Sequence, residues 1–300
     1  MVIKEEKAAQ MDSKRRLFLD SDALKLIAMV TMLIDHIGAA ILLPAHFTGI
    51  NISNTWVDVY DLSRKIGRTA FPIFVFLLVE GFFHTHSRKK YFGRLLLFAL
   101  LSELPFDMAF YGELFYKGSQ NVFLTLTIGF LMIWGMEKIY ETYITGLGIY
   151  RMNIEKSDRR IKRELEKHNW QEMDRQSRMR IRENGHRMDY PIMAGMLLAA
   201  LVFSGVMAAA YLRVDYNIFG VLLIVLFYFG KHVGAPRLLT CIGGYLLFLW
   251  EPYCLGGFLL ILFYNGERKP RGKGFQYFFY FFYPVHLLIL GMIRVVFLHG

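Results

Sequence analysis

Nine apolar stretches, at about residues 24 to 43, 70 to 86, 92 to 111, 121 to 140, 192 to 212, 216 to 231, 238 to 250, 253 to 264 and 277 to 297, leave this chain few folds to choose from. A helix of about 20 residues, rising ~1.5 Å per residue, crosses a ~30 Å hydrocarbon core with its backbone hydrogen bonds satisfied internally. The expectation is therefore all-α: a polytopic integral membrane helix bundle of about nine transmembrane segments. The seventh and eighth stretches are short and only Glu251 and Pro252 separate them, so a re-entrant hairpin is the alternative to two crossings. A composition that is 55% hydrophobic with 27 Phe excludes an ordinary soluble domain.

The net charge of +10 raises the question of nucleic acid, but its distribution answers for a membrane instead. With an N-terminus in the cytoplasm and alternating sides, the inner loops collect 26 of the 35 Lys and Arg, the outer loops 5 and the spans 4. That is the asymmetry of the positive-inside rule, and it predicts a cytoplasmic N-terminus and an outside C-terminus. The first 23 residues read as a cytosolic tail with no cleavage site after it, so residues 24 to 43 read as a retained signal-anchor. Residues 24 to 300 form the membrane domain, interrupted by a basic insertion at 141 to 190. Mixed charges at helical spacing there suggest cytosolic helices, either a solvated linker or a regulatory or coenzyme-phosphate element. Cys241 and Cys254 lie far apart in apolar stretches, without the spacing of a metal site. A multi-pass protein of a bacterial-type cytoplasmic (inner) membrane, surrounded by lipid and without metal or nucleic acid, is the expectation.

Charged and imidazole side chains inside such spans mark the places to examine, because each costs a few kcal/mol at the bilayer centre. Counting residues along the expected spans puts Asp35, His36, Glu80, Glu103 and His286 in one layer near the midplane. These groups should face the bundle interior, whether they are catalytic, conductive or an interhelical polar clamp. Asp35 and His36 are adjacent on a helix, so their side chains diverge by about 100° and cannot face each other. The orienting partner of His36 must come from another helix, with Glu80 or Glu103 the expected candidates, while Asp35 turns to a second neighbour.

Two further groups flank that layer. Arg64 and Arg68 lie one turn apart before the second span, near Asp58, Asp61 and Asp107, either as an interfacial salt-bridge cluster or as donors to a carbonyl or anion. His84, His86, Arg88, Lys89, Lys90 and Arg94, joined by Lys231, His232 and Arg237, make a basic rim at the other end that suits anionic lipid or a phosphate-rich nucleotide equally well. No Walker or dinucleotide-type glycine pattern accompanies it, and Gly243-Gly244 and Gly256-Gly257 read as close helix packing. Pro284 should kink the last span just before His286.

The segments LKLIAMVTMLIDHIGA (24 to 39), IGRTAFPIFVFLLVEGF (66 to 82), RLLLFALLSELPFD (94 to 107), NVFLTL (121 to 126), VDYNIFGVLLI (214 to 224) and YPVHLLIL (283 to 290) together resemble the TraX family. That family is named for a conjugative pilin acetylase and is related to membrane acyltransferases of the acyltransferase-3 type. The resemblance implies an acyl-CoA-dependent N- or O-acetyltransferase that moves an acetyl group from cytosolic acetyl-CoA, as co-substrate, to an acceptor within or across the membrane. The acceptor class left open is a peptide N-terminus, a glycan or a small amine. His36 matches the first-helix histidine regarded as essential in the related enzymes and would act as general base, oriented by Glu80 or Glu103. Arg64, Arg68 or His286 would supply oxyanion donors, and the inner basic rim would hold the coenzyme phosphates. The alternative is a proton-coupled small-molecule transporter using the same Asp/Glu/His layer.

Overall fold

A computed structural model describes residues 18–47, 54–145, 190–267 and 273–298, and among them every regular element is helical. The expected insertion at 141 to 190 falls almost entirely outside the described residues, as does most of the N-terminal tail. The chain runs through α1 (Ser21–Ile37), a π-helical turn (Gly38–Leu42) and the short α2 (Leu43–Phe47), then α3 (Asn54–Gly67), α4 (Ala70–His84), α5 (Arg88–Tyr111) and α6 (Val122–Ile139). After the insertion come α7 (Tyr190–Leu212), α8 (Asn217–His232), α9 (Arg237–Leu247), α10 (Leu255–Leu262) and α11 (Lys273–Leu298). Among the described residues, five helical segments have the length and apolarity to cross a membrane, at Ser21–Ala45, Thr55–His84, Val122–Tyr143, Ile192–Leu212 and Tyr277–Val296. This is a membrane protein built as a helix bundle.

The starts and stops follow from local chemistry. Asp20 caps α1, its carboxylate accepting from the Asp22 and Ala23 backbone N–H groups at 3.1 and 2.8 Å, and Ser87 caps α5 through the Lys90 N–H. Gly112, with φ +72°, ends α5 in the left-handed conformation that favours glycine. One expectation needs revision. The polar segment before the second span is itself a helix, α3, which leads into α4 so that Thr55–His84 behaves as one long segment. The helices of the seventh and eighth stretches, α9 and α10, are 11 and 8 residues long, each shorter than the ~17 residues of a full crossing, and α9 leads into α10 as a helical hairpin.

Residues 1–131 and 206–300 make one compact unit and residues 132–205 another. Within the second, Gly135 meets Leu201 and Gly205 meets Met132, the close approach that small residues permit. In the larger unit α11 packs most extensively along α5, while α1 packs against α3 and α4. Its core is aromatic: Phe76, Phe82, Phe130 and Tyr264 are buried, joined by edge-on contacts such as Phe82 to Phe130 at 5.3 Å.

The hairpin sits against α4 through glycine. A Cβ at Gly257 would lie 2.4 Å from the Thr69 carbonyl oxygen and 3.2 Å from Pro72 Cβ, whereas one at Gly243 would meet only Leu226 methyls at 3.5 Å or more. A backbone oxygen cannot swing away. Gly257→Ala is therefore expected to destabilise the protein by about 1–3 kcal/mol through overpacking. Gly243→Ala is expected to leave the melting temperature of the detergent-solubilised protein within error of the parent.

Candidate active site

His36 lies fifteen residues into α1 and His286 thirteen into α11, or ~22 and ~20 Å by helical rise from their helix starts. Both are buried. His36 Nδ1 and His286 Nε2 are 2.7 Å apart, and His286 Nδ1 is 2.6 Å from the Phe282 carbonyl oxygen one turn earlier on its own helix. A carbonyl only accepts, so His286 Nδ1 carries the proton, its Nε2 is the acceptor, and His36 donates from Nδ1. A neutral His36 is thereby fixed with an unprotonated Nε2, to which nothing among the described residues hydrogen-bonds. The ring centroids are 5.0 Å apart with 11° between planes. The nitrogen–nitrogen distance and two ring radii fill that separation, so the rings meet edge to edge in nearly one plane rather than face to face. Phe110 and Tyr283 stand edge-on to His36, with centroids at 5.1 and 5.8 Å, and Phe282 covers His286 at 4.7 Å.

This geometry corrects the expectation that Glu80 or Glu103 orients His36. Glu80 is only four residues from the end of α4, ~6 Å along the helix. There it forms an ion pair with Lys231, the next-to-last residue of α8. Glu103 shares the level of the histidines, fifteen residues into α5, but its Oε2 takes the side-chain amide of Asn121, which also donates to the Ala99 carbonyl at 2.8 Å. The carboxylate thus ties α5 to the start of α6. Asp107 accepts from the Tyr116 N–H at 2.8 Å and pins the loop after α5. His286, expected as an oxyanion donor, spends its Nε2 as the acceptor for His36.

Asp35 turns away from His36, as helical geometry requires, and pairs with Arg64 at 2.7 Å. Gly67 makes this approach possible, since a Cβ there would fall 2.1 Å from Asp35 Cβ. Arg68 binds Glu251 at 3.1 Å and lies over the Tyr216 ring. Both arginines are committed to carboxylates, so they read as a brace between α1, α3 and the hairpin rather than as free donors to a substrate. The loop before α8 completes that brace. Arg213, Tyr216 and Asn217 hold φ values of +54°, +59° and +47°, a conformation that costs about 1–3 kcal/mol per non-glycine residue. The Gln120–Val214 bridge and a 2.6 Å bond from Thr125 Oγ1 to the Asp215 carbonyl hold it in place. Burial pushes the Asp215 carboxyl up from its ordinary range, opposed by Arg68.

A cavity of about 440 Å³ lies against the histidine pair's own helices. It follows α1 from Ser21 and Lys25 to Met32, one turn short of His36, and ends at Phe282 and Tyr283 beside His286. The walls are largely apolar, and Lys25, His84 and Arg94 sit at the end where α1 and α5 begin and α4 finishes. Of the basic rim read from the sequence, His84 and Arg94 line this cavity, Arg94 directed by the Tyr280 hydroxyl at 3.4 Å and the Tyr91 ring. Lys89 and Lys90 are exposed, and Arg88 stacks over Phe82. Lys231 is held by Glu80, and Arg237 donates to the Tyr264 and Ile261 carbonyls as a lock on the hairpin. Lys25 and Tyr283 were missed by sequence reasoning. A lysine one turn into an apolar span, and a tyrosine beside Pro284 and His286, were the signals present.

Fold and site together define a polytopic helical membrane protein with an oriented, buried imidazole pair carried on two helices that also line an apolar cavity. Residues 20–153 match the family model described as TraX protein, in agreement with the sequence resemblance. A "Probable fimbrial assembly protein FimC, serogroup H1" from Dichelobacter nodosus is 33% identical over 117 residues, covering 37% of this chain and 43% of that relative. The match thus spans less than half the length of the relative. No solved structure matches the chain.

Proposed function

We propose that this chain is a membrane-embedded acetyltransferase, moving an acetyl group from acetyl-CoA to an amine or hydroxyl acceptor with His36 as general base. The observation that carries the reading is the tautomer fixed by the chain from Phe282 O through His286 to His36, which leaves His36 Nε2 basic and without a hydrogen-bond partner among the described residues. A general base needs its lone pair exposed and its ring held, and the pair supplies both. His286 is the positioning residue. The pilin-acetylase namesake that the sequence resemblance implies, and the relative named as a probable fimbrial assembly protein, support an acceptor among surface-fibre subunits, with a peptide N-terminus as the first candidate. The positive-inside pattern supports an inner-membrane chain whose cavity opens to the cytosol.

The cavity fits the donor by chemistry: apolar walls for a pantetheine arm, with Arg94 at the mouth for phosphates and Lys25 beside it, paired with Asp22 at 3.1 Å. In the proposed transfer, His36 Nε2 removes the acceptor's proton as the acceptor attacks the thioester carbonyl. The carbon–sulfur bond then breaks, and the imidazolium returns its proton to the departing thiolate. Replacing Lys25 and Arg94 by Gln is expected to weaken coenzyme A binding about tenfold per charge lost. Titration calorimetry of the reconstituted protein checks this, and unchanged affinity would move the phosphate site to Arg88, Lys89 and Lys90 or to the insertion. A transporter using the same polar groups would move solute without consuming thioester, so release of free coenzyme thiol separates the two classes.

A further inference from the structure

The cavity and the imidazole pair are neighbours that do not meet. Lys25, Met29 and Met32 line the cavity along one face of α1, and the next residue on that face is His36, which does not line it. From α11 the cavity is lined by Phe279, Phe282 and Tyr283, and His286 follows one turn after Phe282, again outside the lining. A single layer of side chains separates the two. The Phe282 ring stacks on His286 at 4.7 Å between centroids, and the Tyr283 ring stands edge-on to both histidines, 5.8 Å from His36 and 5.7 Å from His286. Met32, buried on α1, completes the layer one turn before His36, or ~6 Å by helical rise. Helical side chains lean towards the N-terminus, so the His36 ring inclines back towards the Met32 turn. Both rings of the layer are held. The Phe282 carbonyl binds His286, and Tyr283 also abuts the Phe123 ring at 5.2 Å. Met32 is the adaptable member, unbranched and flexible.

We infer that Met32 is the specificity-determining residue of the donor cavity: its side chain caps the deep end in front of the imidazole pair and sets the length of acyl group presented there. The inference rests on the transferase reading above, in which phosphates at the Arg94 end direct the thioester to the histidine end, and it adds which acyl groups that end takes. Transfer requires the thioester carbon beside an acceptor whose proton goes to His36 Nε2, so the acyl group lies against the layer of Met32, Phe282 and Tyr283. The acceptor bonds to the acyl carbon, the carbon–sulfur bond breaks, and the proton passes from His36 to the departing thiolate, whatever the chain length. An acetyl group places only a methyl beyond the carbonyl. A butyryl group adds two methylenes, and with both rings held it is Met32 that must give way.

The test uses full-length protein reconstituted in lipid nanodiscs, with acetyl-CoA or butyryl-CoA as donor and a short peptide with a free N-terminus as acceptor, read as release of free thiol. The wild type is expected to favour acetyl-CoA, and the quantity followed is the ratio of kcat/KM for butyryl-CoA to that for acetyl-CoA. Met32→Ala removes about three heavy atoms from the deep end and is expected to raise this ratio about tenfold or more, the scale on which an apolar pocket discriminates methylenes. Met29→Ala makes the same truncation one turn nearer the mouth and is expected to leave the ratio at the wild-type value. Met32→Leu, close in volume but a bond shorter, is expected to raise the ratio about fourfold, the worth of one methylene, and carries the test if Met32→Ala does not fold. A ratio unmoved in the folded Met32 variants, an equal rise in Met29→Ala, or a wild-type preference for butyryl-CoA overturns the role of Met32 and leaves the transferase reading standing. Absence of thioester consumption by the wild type from either donor overturns the transferase reading and this inference with it.

Discussion

Replacing His36 by alanine is expected to lower acetyl transfer by 10²- to 10⁴-fold, the usual contribution of a positioned general base, while the protein remains folded. The ring is buried between Phe110 and Tyr283, so the truncation leaves a small cavity, but it breaks no ion pair and leaves no buried charge. His286→Ala should cost less, about 10- to 100-fold. It removes the acceptor that fixes the His36 tautomer but leaves the base itself in place. The order of the two losses is informative: a larger effect at His286 would mean that His286 faces the acceptor and His36 orients it. Thiol release from acetyl-CoA, with far-ultraviolet circular dichroism and a melting curve on each variant, separates chemistry from folding.

Asp35→Ala is expected to act through stability instead. Arg64 would lose its 2.7 Å partner while keeping only about a quarter of its side-chain surface exposed, and an uncompensated buried charge costs about 3 kcal/mol. The loss would fall on the junction of α1 with α3, where Gly67 lets the Asp35 side chain lie against the backbone. The melting temperature in detergent should drop sharply, and activity should fall with the folded fraction. Removing both charges, with Asp35→Leu and Arg64→Met together, should restore much of the stability, because a buried ion pair can often be replaced by packed apolar groups. Failure of the double variant to recover would indicate that Arg64 has a further duty at the site.

Adjacent residues in one helix therefore turn to different partners, Asp35 to Arg64 and His36 to His286, and helical geometry alone foretold that divergence. What the sequence could not supply was the rotation and the vertical register of each helix. Glu80 illustrates register: its depth was counted from residue 70, but α3 precedes α4 within one long segment, and that moves Glu80 to the far end beside Lys231. The helix at 54–67 was not anticipated because its polar face interrupts the apolar signal that marks a span. His286 illustrates rotation. The last span is apolar on nearly all sides, so hydropathy does not say which face meets α1, and a carboxylate is the more usual partner for an imidazole. The approach of His286 to within 2.7 Å of His36 is a property of tertiary packing, above all of α11 along α5.

The glycine pairs were legible for a different reason. In an apolar span a glycine has no role in solvation, so close approach was the remaining explanation; Gly244 against Phe258 and Gly257 against Thr69 bear this out, whereas Gly243 meets only Leu226 methyls at ordinary contact distance. The basic rim was legible only as a cluster. Lysines and arginines near a membrane surface have many uses, and side-chain partners decide among them. Glu80 claims Lys231, backbone carbonyls claim Arg237, and Arg94 is left on the cavity wall.

The most direct measurement of the central claim is thioester consumption by the reconstituted protein, compared between the wild type and His36→Ala with acetyl-CoA and a peptide amine present. The account predicts release of free coenzyme thiol matched by acetylated peptide in the wild type, and loss of both by at least 100-fold in a variant that still binds coenzyme A. Equal thiol release from the two proteins, or none from either, would contradict it.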